Sequence, residues 1–199
     1  MSLADTPVSC VHMQSGRWGS GVPVVLVHGG SGSWTHWFRQ IPALEGQYKL
    51  YVADIPGLGD SAMPPQPWTP ASIADVVVAG IEQSFPASAR LRLAGFSFGG
   101  HVAGLAAERL KERVHQLVLI GVAALGLRAD PREPFAKMRT SMTDAEVSAV
   151  YRQNLEVLMF AEPANIDALA VHLQSENIRR ARFRSRPFAA TDALAVALA

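Results

Sequence analysis

A serine in a glycine-rich run is the position in this sequence best suited to covalent chemistry. Ser97 stands at the centre of the run GFSFG, residues 95–99. The pattern predicts a short buried strand just before this run and a helix, residues 101–113, just after it. A serine on such a strand-to-helix turn has an exposed hydroxyl and needs glycine on both sides, as here. The helix N-terminus also favours negative charge developing beside Ser97.

Alternating strands and helices before residue 127 predict an α/β protein with a mostly parallel sheet flanked by helices. The continuous apolar run at residues 22–27 is typical of a strand buried in such a sheet, and residues 48–53 and 116–120 are predicted to form further strands. A helix is predicted from Trp34 to Leu44. Another is predicted around residues 73–81, where apolar residues recur at helical spacing.

After Leu127 the pattern becomes helical, and we expect a separate layer at residues 128–187. Thr143–Glu146 reads as a capping box that opens one helix, and Pro163 begins another. Residues 188–199 are expected to return toward a further strand. The predicted apolar faces of the two helices comprise Val147, Val150, Tyr151, Asn154 and Leu158 in the first, and Ile166, Leu169 and Leu173 in the second.

Composition narrows the class of protein. The 199 residues suffice for one domain with a sizeable core, and 18 basic against 17 acidic residues give no pull toward nucleic acid or an anionic membrane. The single cysteine, Cys10, excludes an internal disulfide and a cysteine-rich zinc site. Residues 1–11 lack a secretory signal pattern, and no apolar segment is long enough to span a bilayer. We therefore expect a cytoplasmic protein with no metal, nucleotide or other cofactor.

Three motifs in order carry a family resemblance: HGGSG at residues 28–32, DIPGLGDS at residues 54–61, and the Ser97 turn. Together they resemble the α/β-hydrolase superfamily in its single-domain form with a helical cap. The resemblance implies a partial α/β-hydrolase fold, with core residues 1–127 and cap residues 128–187. It also implies that Ser97 is the nucleophile, and that the backbone N–H groups of Gly30 and Phe98 form the oxyanion hole. The expected partner is a small, apolar carbonyl compound.

The acid and the histidine of the triad are missing from the expected places. In this family they follow the nucleophile on loops after the last core strands, which this sequence does not reach. Asp130 is the nearest acid, and a surface role suits it better. We expect a fragment or a truncated product of a longer hydrolase, with an apolar strand exposed at the sheet edge and impaired activity. The available histidines, of which only the last could reach Ser97, are His12, His28, His36, His101, His115 and His172.

Several functions remain open at this stage. The leading hypothesis is serine-dependent hydrolysis of an ester, thioester or related carbonyl compound through an acyl-enzyme. Carbon–carbon bond hydrolysis of ring-cleavage products ranks lower, because Phe96 stands where that group usually has asparagine. Epoxide hydrolases and haloalkane dehalogenases would need aspartate in place of Ser97. Cofactor-free peroxidase activity and a non-catalytic ligand-binding role are further alternatives, and neither substrate nor oligomeric state follows from the sequence.

Other residues have a structural and a functional interpretation. Asp54 is expected to organise the turn before Pro56 rather than act as an acid. Five arginines between residues 179 and 186 read as a solvated face, with nucleic-acid binding or contact to a substrate carboxylate as alternatives. About a third of one apolar set is expected to line a pocket: Trp34, Trp37, Met63, Phe98, Phe135, Met138, Met142, Met159 and Phe160.

Overall fold

One sheet organises the part of the chain that bears Ser97. The computed structural model describes residues 17–64, 66–127, 135–189 and 191–199. Within them five strands form a sheet in the order β1-β3-β2-β4-β5, in which β1 alone runs antiparallel to its neighbour. The predicted α/β class with a mostly parallel sheet is confirmed. The strands are β1 (Arg17–Trp18), β2 (Val22–Val27), β3 (Tyr48–Ala53), β4 (Leu91–Phe96) and β5 (Val114–Ile120).

Helices of varied length connect and follow these strands. Those of α type are α1 (Ile41–Leu44), α2 (Pro70–Ser84), α3 (Phe98–Leu110), α4 (Asp144–Leu158), α5 (Ala168–Arg180) and α6 (Ala193–Leu198). By its internal contacts the chain divides into a first unit, residues 1–127 and 180–199, and a second unit, residues 128–179. Residues 180–187, which the sequence grouped with the cap, thus belong to the first unit.

Strand β2 is buried on both faces from Val24 to Val27, as its continuous apolar sequence predicts. In β2, Val25 and Val27 face a core that includes residues of α2 and α3. Val24 and Leu26 face the opposite core, together with Trp37 and Ile41. Successive side chains of a strand point to opposite faces, so a strand covered on both sides needs apolar residues at every position.

Strand β5 lies at one edge of the described sheet. It begins at Val114, two residues before the predicted start, and among the described residues it pairs with β4. Val118 is 41% exposed and Ile120 is 42% exposed. The expected apolar edge is therefore present in the described part of the chain.

Some predicted elements differ from the structure. The helix expected to begin at Pro163 has only a 3₁₀ turn there, Pro163–Asn165, and α5 begins at Ala168. The predicted helix from Trp34 to Leu44 is a 3₁₀ turn followed by the short α1. The expected return toward a strand, residues 193–199, is instead helix α6. Its Leu194 is fully buried where Gly104 of α3 leaves room for a side chain, and the Leu194 N–H donates to the Ala124 carbonyl at 3.0 Å. Contacts with residues far away in the sequence therefore determine that this segment forms helix α6.

The second unit is a pair of helices with a small core of its own. The capping box is confirmed: the Thr143 hydroxyl accepts from the Glu146 N–H, and the Glu146 carboxylate accepts from the Thr143 N–H at 2.7 Å. The predicted apolar faces are only partly correct. Leu155 takes the buried place expected of Leu158, which is exposed, and Leu169 is exposed as well. Val150 and Tyr151 are buried as predicted, and Leu155, Ile166 and Ala170 form a buried cluster.

Among the described residues, no helix is both long enough and apolar enough to cross a membrane.

Candidate active site

Ser97 lies at a sharp turn between strand β4 and helix α3. Its backbone has φ 52° and ψ −121°, in the left-handed region of φ. Such a conformation costs a residue other than glycine about 1–3 kcal/mol and persists only where the surroundings hold it. Here the Ser97 N–H donates to the Ile120 carbonyl at 2.8 Å, and the Ser97 carbonyl accepts from the Gly100 N–H at 2.9 Å. Both sides of the strained residue are thus anchored.

Two glycines beside Ser97 are required because other backbone segments approach them closely. A Cβ atom at Gly95 would overlap the backbone of Gly99 and Gly100. A Cβ atom at Gly99 would overlap the carbonyl oxygens of residues 27 and 28, at the end of β2. Backbone atoms cannot move aside as a flexible side chain can, so the turn and the end of β2 can pack together only with glycine at these positions.

The structure brings the two predicted oxyanion-hole residues together. Gly30 follows β2 and Phe98 follows β4, and these two parallel strands are direct neighbours in the sheet. A Cβ atom at Gly30 would lie 3.5 Å from the Cβ atom of Phe98. Phe98 is also the first residue of α3, so its N–H has no carbonyl within the helix to bind. The Phe98 N–H is therefore a backbone donor beside Ser97, and the loop that contains Gly30 lies next to Phe98.

A segment late in the chain packs over this region. We call residues 180–189 the covering segment. The ring of Phe98 contacts Phe183, with ring centroids 5.8 Å apart, and Phe188, at 6.1 Å. The side chain of Ser185 lies against Gly30. Two phenylalanines within an otherwise basic stretch were the only sequence signal for this contact.

Polar contacts attach the covering segment to the loop after β3. The Arg180 guanidinium binds the Asp60 carboxylate at 2.6 Å. Arg182 donates from its backbone N–H to the Gly57 carbonyl at 3.1 Å, and its side chain binds the Gly59 and Ser61 carbonyls. These two arginines are therefore committed to intramolecular contacts, which corrects their interpretation as members of a merely solvated face. Arg179 pairs with Glu176 within α5.

The carboxylate of Asp54 is used by backbone groups of two loops. It accepts hydrogen bonds from the Trp34 N–H at 2.6 Å and from the Asp60 N–H at 3.0 Å. The Asp54 carbonyl accepts from the Ser61 hydroxyl at 2.7 Å. A buried carboxylate with these partners organises the turn, which is the role that the sequence favoured.

No described histidine forms a hydrogen bond with the half-buried Ser97 hydroxyl. His28 is buried and His36 is half-buried, and both bind backbone groups: His28 those of Gly29 and Ile55, and His36 that of Gly29. His101 is buried in α3, where burial lowers its pKa, and its Nε2 has no described partner. His115 is exposed on β5, and His172 is exposed in the second unit. The remaining candidates lie outside the described residues: Cys10, His12 and Asp130.

The apolar residues expected near a pocket are distributed over both units. Trp37 is part of a sheet core, and Trp34 stacks on Trp18 with ring centroids 5.9 Å apart. In the second unit Met138 and Met159 are exposed. Phe98 is the one whose surroundings place it at the site. Among the described residues no cluster of three or more histidine, cysteine, aspartate or glutamate side chains could hold a metal ion.

Comparison with known proteins decides the family. The sequence profile of the alpha/beta hydrolase fold matches residues 22–181. The chain belongs to this family. Its relatives include a pimeloyl-[acyl-carrier protein] methyl ester esterase of Aeromonas hydrophila, 25% identical over 70% of this chain and 53% of the esterase. A (lyso)-N-acylphosphatidylethanolamine lipase of Mus musculus is 32% identical over 71% of this chain and 42% of the lipase.

Solved structures of the alpha/beta hydrolase fold agree with the architecture. The crystal structure of a meta-cleavage product hydrolase superposes with a TM-score of 0.63 and 26% identity, over 81% of this chain and 58% of that protein. The chain thus spans about half the length of the relatives that it matches. Its relatives include esterases, lipases and carbon–carbon bond hydrolases, and hydrolysis is the chemistry that they share.

Proposed function

We propose that this alpha/beta hydrolase is a serine-dependent hydrolase that acts on an ester, thioester or related carbonyl compound, with Ser97 as the nucleophile. The observation that carries the proposal is the strained turn at Ser97, φ 52°, with the N–H of Phe98 next to it in the chain and Gly30 beside that residue. Strain at a residue of this kind is typical of functional positions, where the surrounding structure maintains it.

In the proposed reaction the Ser97 oxygen adds to the substrate carbonyl carbon, and its proton passes to a general base. The carbonyl oxygen becomes negatively charged and accepts hydrogen bonds from the N–H groups of Gly30 and Phe98. Collapse of this intermediate expels the alcohol or thiol, which takes up the proton and leaves an acyl group on Ser97. Water then hydrolyses the acyl-enzyme by the same steps and restores the serine.

The two oxyanion-hole donors would stabilise the transition state. Both are backbone groups at turns, so they need not reorganise when charge develops. Removal of one such donor typically costs about 3 kcal/mol of transition-state stabilisation. We further propose that the general base and its carboxylate come from residues outside the described part of the chain, because no described histidine contacts the Ser97 hydroxyl.

The surroundings of Phe98 favour an apolar substrate. Phe183 and Phe188 pack around its ring, so the acyl group would meet aromatic rather than charged side chains. The esterase and lipase among the relatives act on acyl compounds, by their names, which agrees with this substrate class. The likeness to a meta-cleavage product hydrolase supports carbon–carbon bond hydrolysis as the second candidate.

A serine-selective fluorophosphonate probe tests the proposal. The chain, with any continuation that its reading frame encodes, is treated with the probe, and the labelled residue is identified by mass spectrometry. We expect a single adduct on Ser97 and at least about a 10³-fold slower reaction for Ser97→Ala. Ser148→Ala, at an exposed serine of the second unit, is the matched control and should react like the parent. Folded protein without a Ser97 adduct would refute the proposal.

Substrate panels separate the two candidate reactions. Acyl esters of increasing chain length and a vinylogous 1,5-diketone of the ring-cleavage type are offered at equal concentration. Faster turnover of the esters supports the leading proposal, and exclusive turnover of the diketone supports the second.

A further inference from the structure

Two histidines beside the site, the buried His28 and the half-buried His36, have no part in the reaction proposed above. His28 directly follows β2, and His36 lies in the 3₁₀ turn Trp34–Trp37. The centroids of the two rings are 5.9 Å apart, in an edge-to-face arrangement. We propose that His28 and His36 are positioning residues that orient the peptide between Gly29 and Gly30, and through it the Gly30 N–H. The effect of this orientation on catalysis rests on the proposed function, whereas the orientation of the peptide itself does not.

The partners of His28 determine which ring nitrogen carries the proton. Its Nε2 accepts a hydrogen bond from the Ile55 N–H at 2.9 Å. Burial lowers the pKa of His28 to about 4, so the ring is neutral at physiological pH. A neutral imidazole with an accepting Nε2 carries its proton on Nδ1. His28 Nδ1 therefore donates to the Gly29 carbonyl, which lies at 2.7 Å.

The acceptor of that hydrogen bond and the proposed oxyanion donor belong to the same peptide group. A peptide unit is planar and trans, so the Gly29 carbonyl and the Gly30 N–H point in opposite directions from one rigid plate. Holding the carbonyl toward His28 fixes where the Gly30 N–H points. Donation to the carbonyl also polarises the peptide and strengthens its N–H as a donor.

His36 holds the preceding peptide. Its Nδ1 accepts from the Gly29 N–H at 3.2 Å, which requires a neutral ring, and burial, reinforced by His28, lowers its pKa to about 3. The loop wraps closely around this ring, since a Cβ atom at Gly32 would overlap it. Phe96 contacts the ring from β4, with centroids 5.8 Å apart. The residue before Ser97 thus supports the histidine that holds Gly29.

The first test does not need a reactive serine. In the ¹⁵N-labelled full chain, imidazole nitrogen shifts distinguish a protonated from a bare ring nitrogen. We expect His28 to be protonated on Nδ1 and bare on Nε2, and His36 to be bare on Nδ1. A His28 protonated on Nε2, or either ring doubly protonated at neutral pH, would overturn the proposal even if Ser97 reacts as proposed.

The second test uses a matched pair of variants at one position. Asparagine places its amide near the Nδ1 position of histidine, so His28→Asn keeps a donor for the Gly29 carbonyl. Glutamine reaches the Nε2 position, so His28→Gln keeps an acceptor for the Ile55 N–H and loses that donor. Residual dipolar couplings of the Gly30 N–H measure its direction, and fluorophosphonate labelling measures the reactivity of Ser97.

The two variants should differ in a way that general destabilisation does not produce. We expect His28→Asn to keep the Gly30 coupling and to label within about threefold of the parent, and His28→Gln to change the coupling and to label about 10²-fold more slowly. His115→Asn, at an exposed histidine of β5, is the control. Equal losses in both variants, in proportion to their unfolding free energies, would refute the positioning role. If Ser97 of the parent does not react, the proposed function fails, and the imidazole shifts and couplings still decide the orientation.

Discussion

The first unit is built on a sheet and the second on a pair of helices, and the two constrain their residues to different degrees. In the first unit, 19 buried residues form one cluster across α2, α3 and the sheet, and backbone segments meet directly at Gly95 and Gly99. In the described part of the second unit the buried hydrophobic cluster has three members, and local capping starts helix α4. The catalytic geometry proposed here lies in the more constrained unit, because a strained residue must be held by its surroundings.

This difference predicts where a single methyl group is tolerated. A Cβ atom at Gly99 would meet backbone carbonyls, which cannot give way, whereas nothing lies within 4 Å of a Cβ atom at Gly46. We expect Gly99→Ala to lower the free energy of unfolding by about 3 kcal/mol and Gly46→Ala to change it by less than about 0.5 kcal/mol. All four tryptophans belong to the first unit, so urea unfolding followed by tryptophan fluorescence reports on it. Equal stabilities of the two variants would contradict this packing.

A serine-to-glycine substitution should change the free energy of unfolding in opposite directions in the two units. Ser97 has φ 52°, a conformation that glycine adopts without strain, so Ser97→Gly should raise the free energy of unfolding by about 1 kcal/mol while abolishing probe labelling. Ser148 lies exposed within helix α4, where glycine is a poorer helix former. Ser148→Gly should therefore weaken its helix by about 0.5 kcal/mol.

Two local measurements check this contrast. Tryptophan fluorescence follows the unfolding of the first unit, and hydrogen exchange of the α4 amides follows the helix that contains Ser148. A loss of stability in Ser97→Gly would show that the serine is not strained.

The smallest expected effect is the pH dependence of the α4 cap. Hydrogen bonds from the Thr143 N–H and the Thr143 hydroxyl lower the pKa of Glu146. A carboxylate with a lowered pKa in the folded state stabilises that state at neutral pH, and the contribution disappears as the pH falls from the ordinary carboxyl value through the lowered one. Hydrogen exchange of the α4 amides should thus be slower in the parent than in Glu146→Gln at pH 7. The two should converge as the pH falls below that lowered pKa, and a difference that persists there would contradict the assignment.

The site was only partly predictable from the sequence. The turn at Ser97 and the cap at Thr143 depend on residues close in the chain, and both are found where local patterns predict them. The contacts of Phe183, Ser185 and Leu194 with residues 17–127 do not follow from local patterns, because they join residues that are far apart in sequence. The roles of Ser97, Gly30 and Phe98 in catalysis remain a proposal that the labelling experiments address.

The sequence by itself determined the α/β class, the order of the strands along the chain and the position of the serine turn, because apolar periodicity, capping residues and glycine spacing act over a few neighbours. The tertiary structure decided that residues 180–189 pack over Phe98, that residues 193–198 form a helix, and which nitrogen of His28 faces the Gly29 carbonyl. These features depend on which distant groups remain to fill space or to pair with a buried polar atom, and only the folded chain brings those groups together.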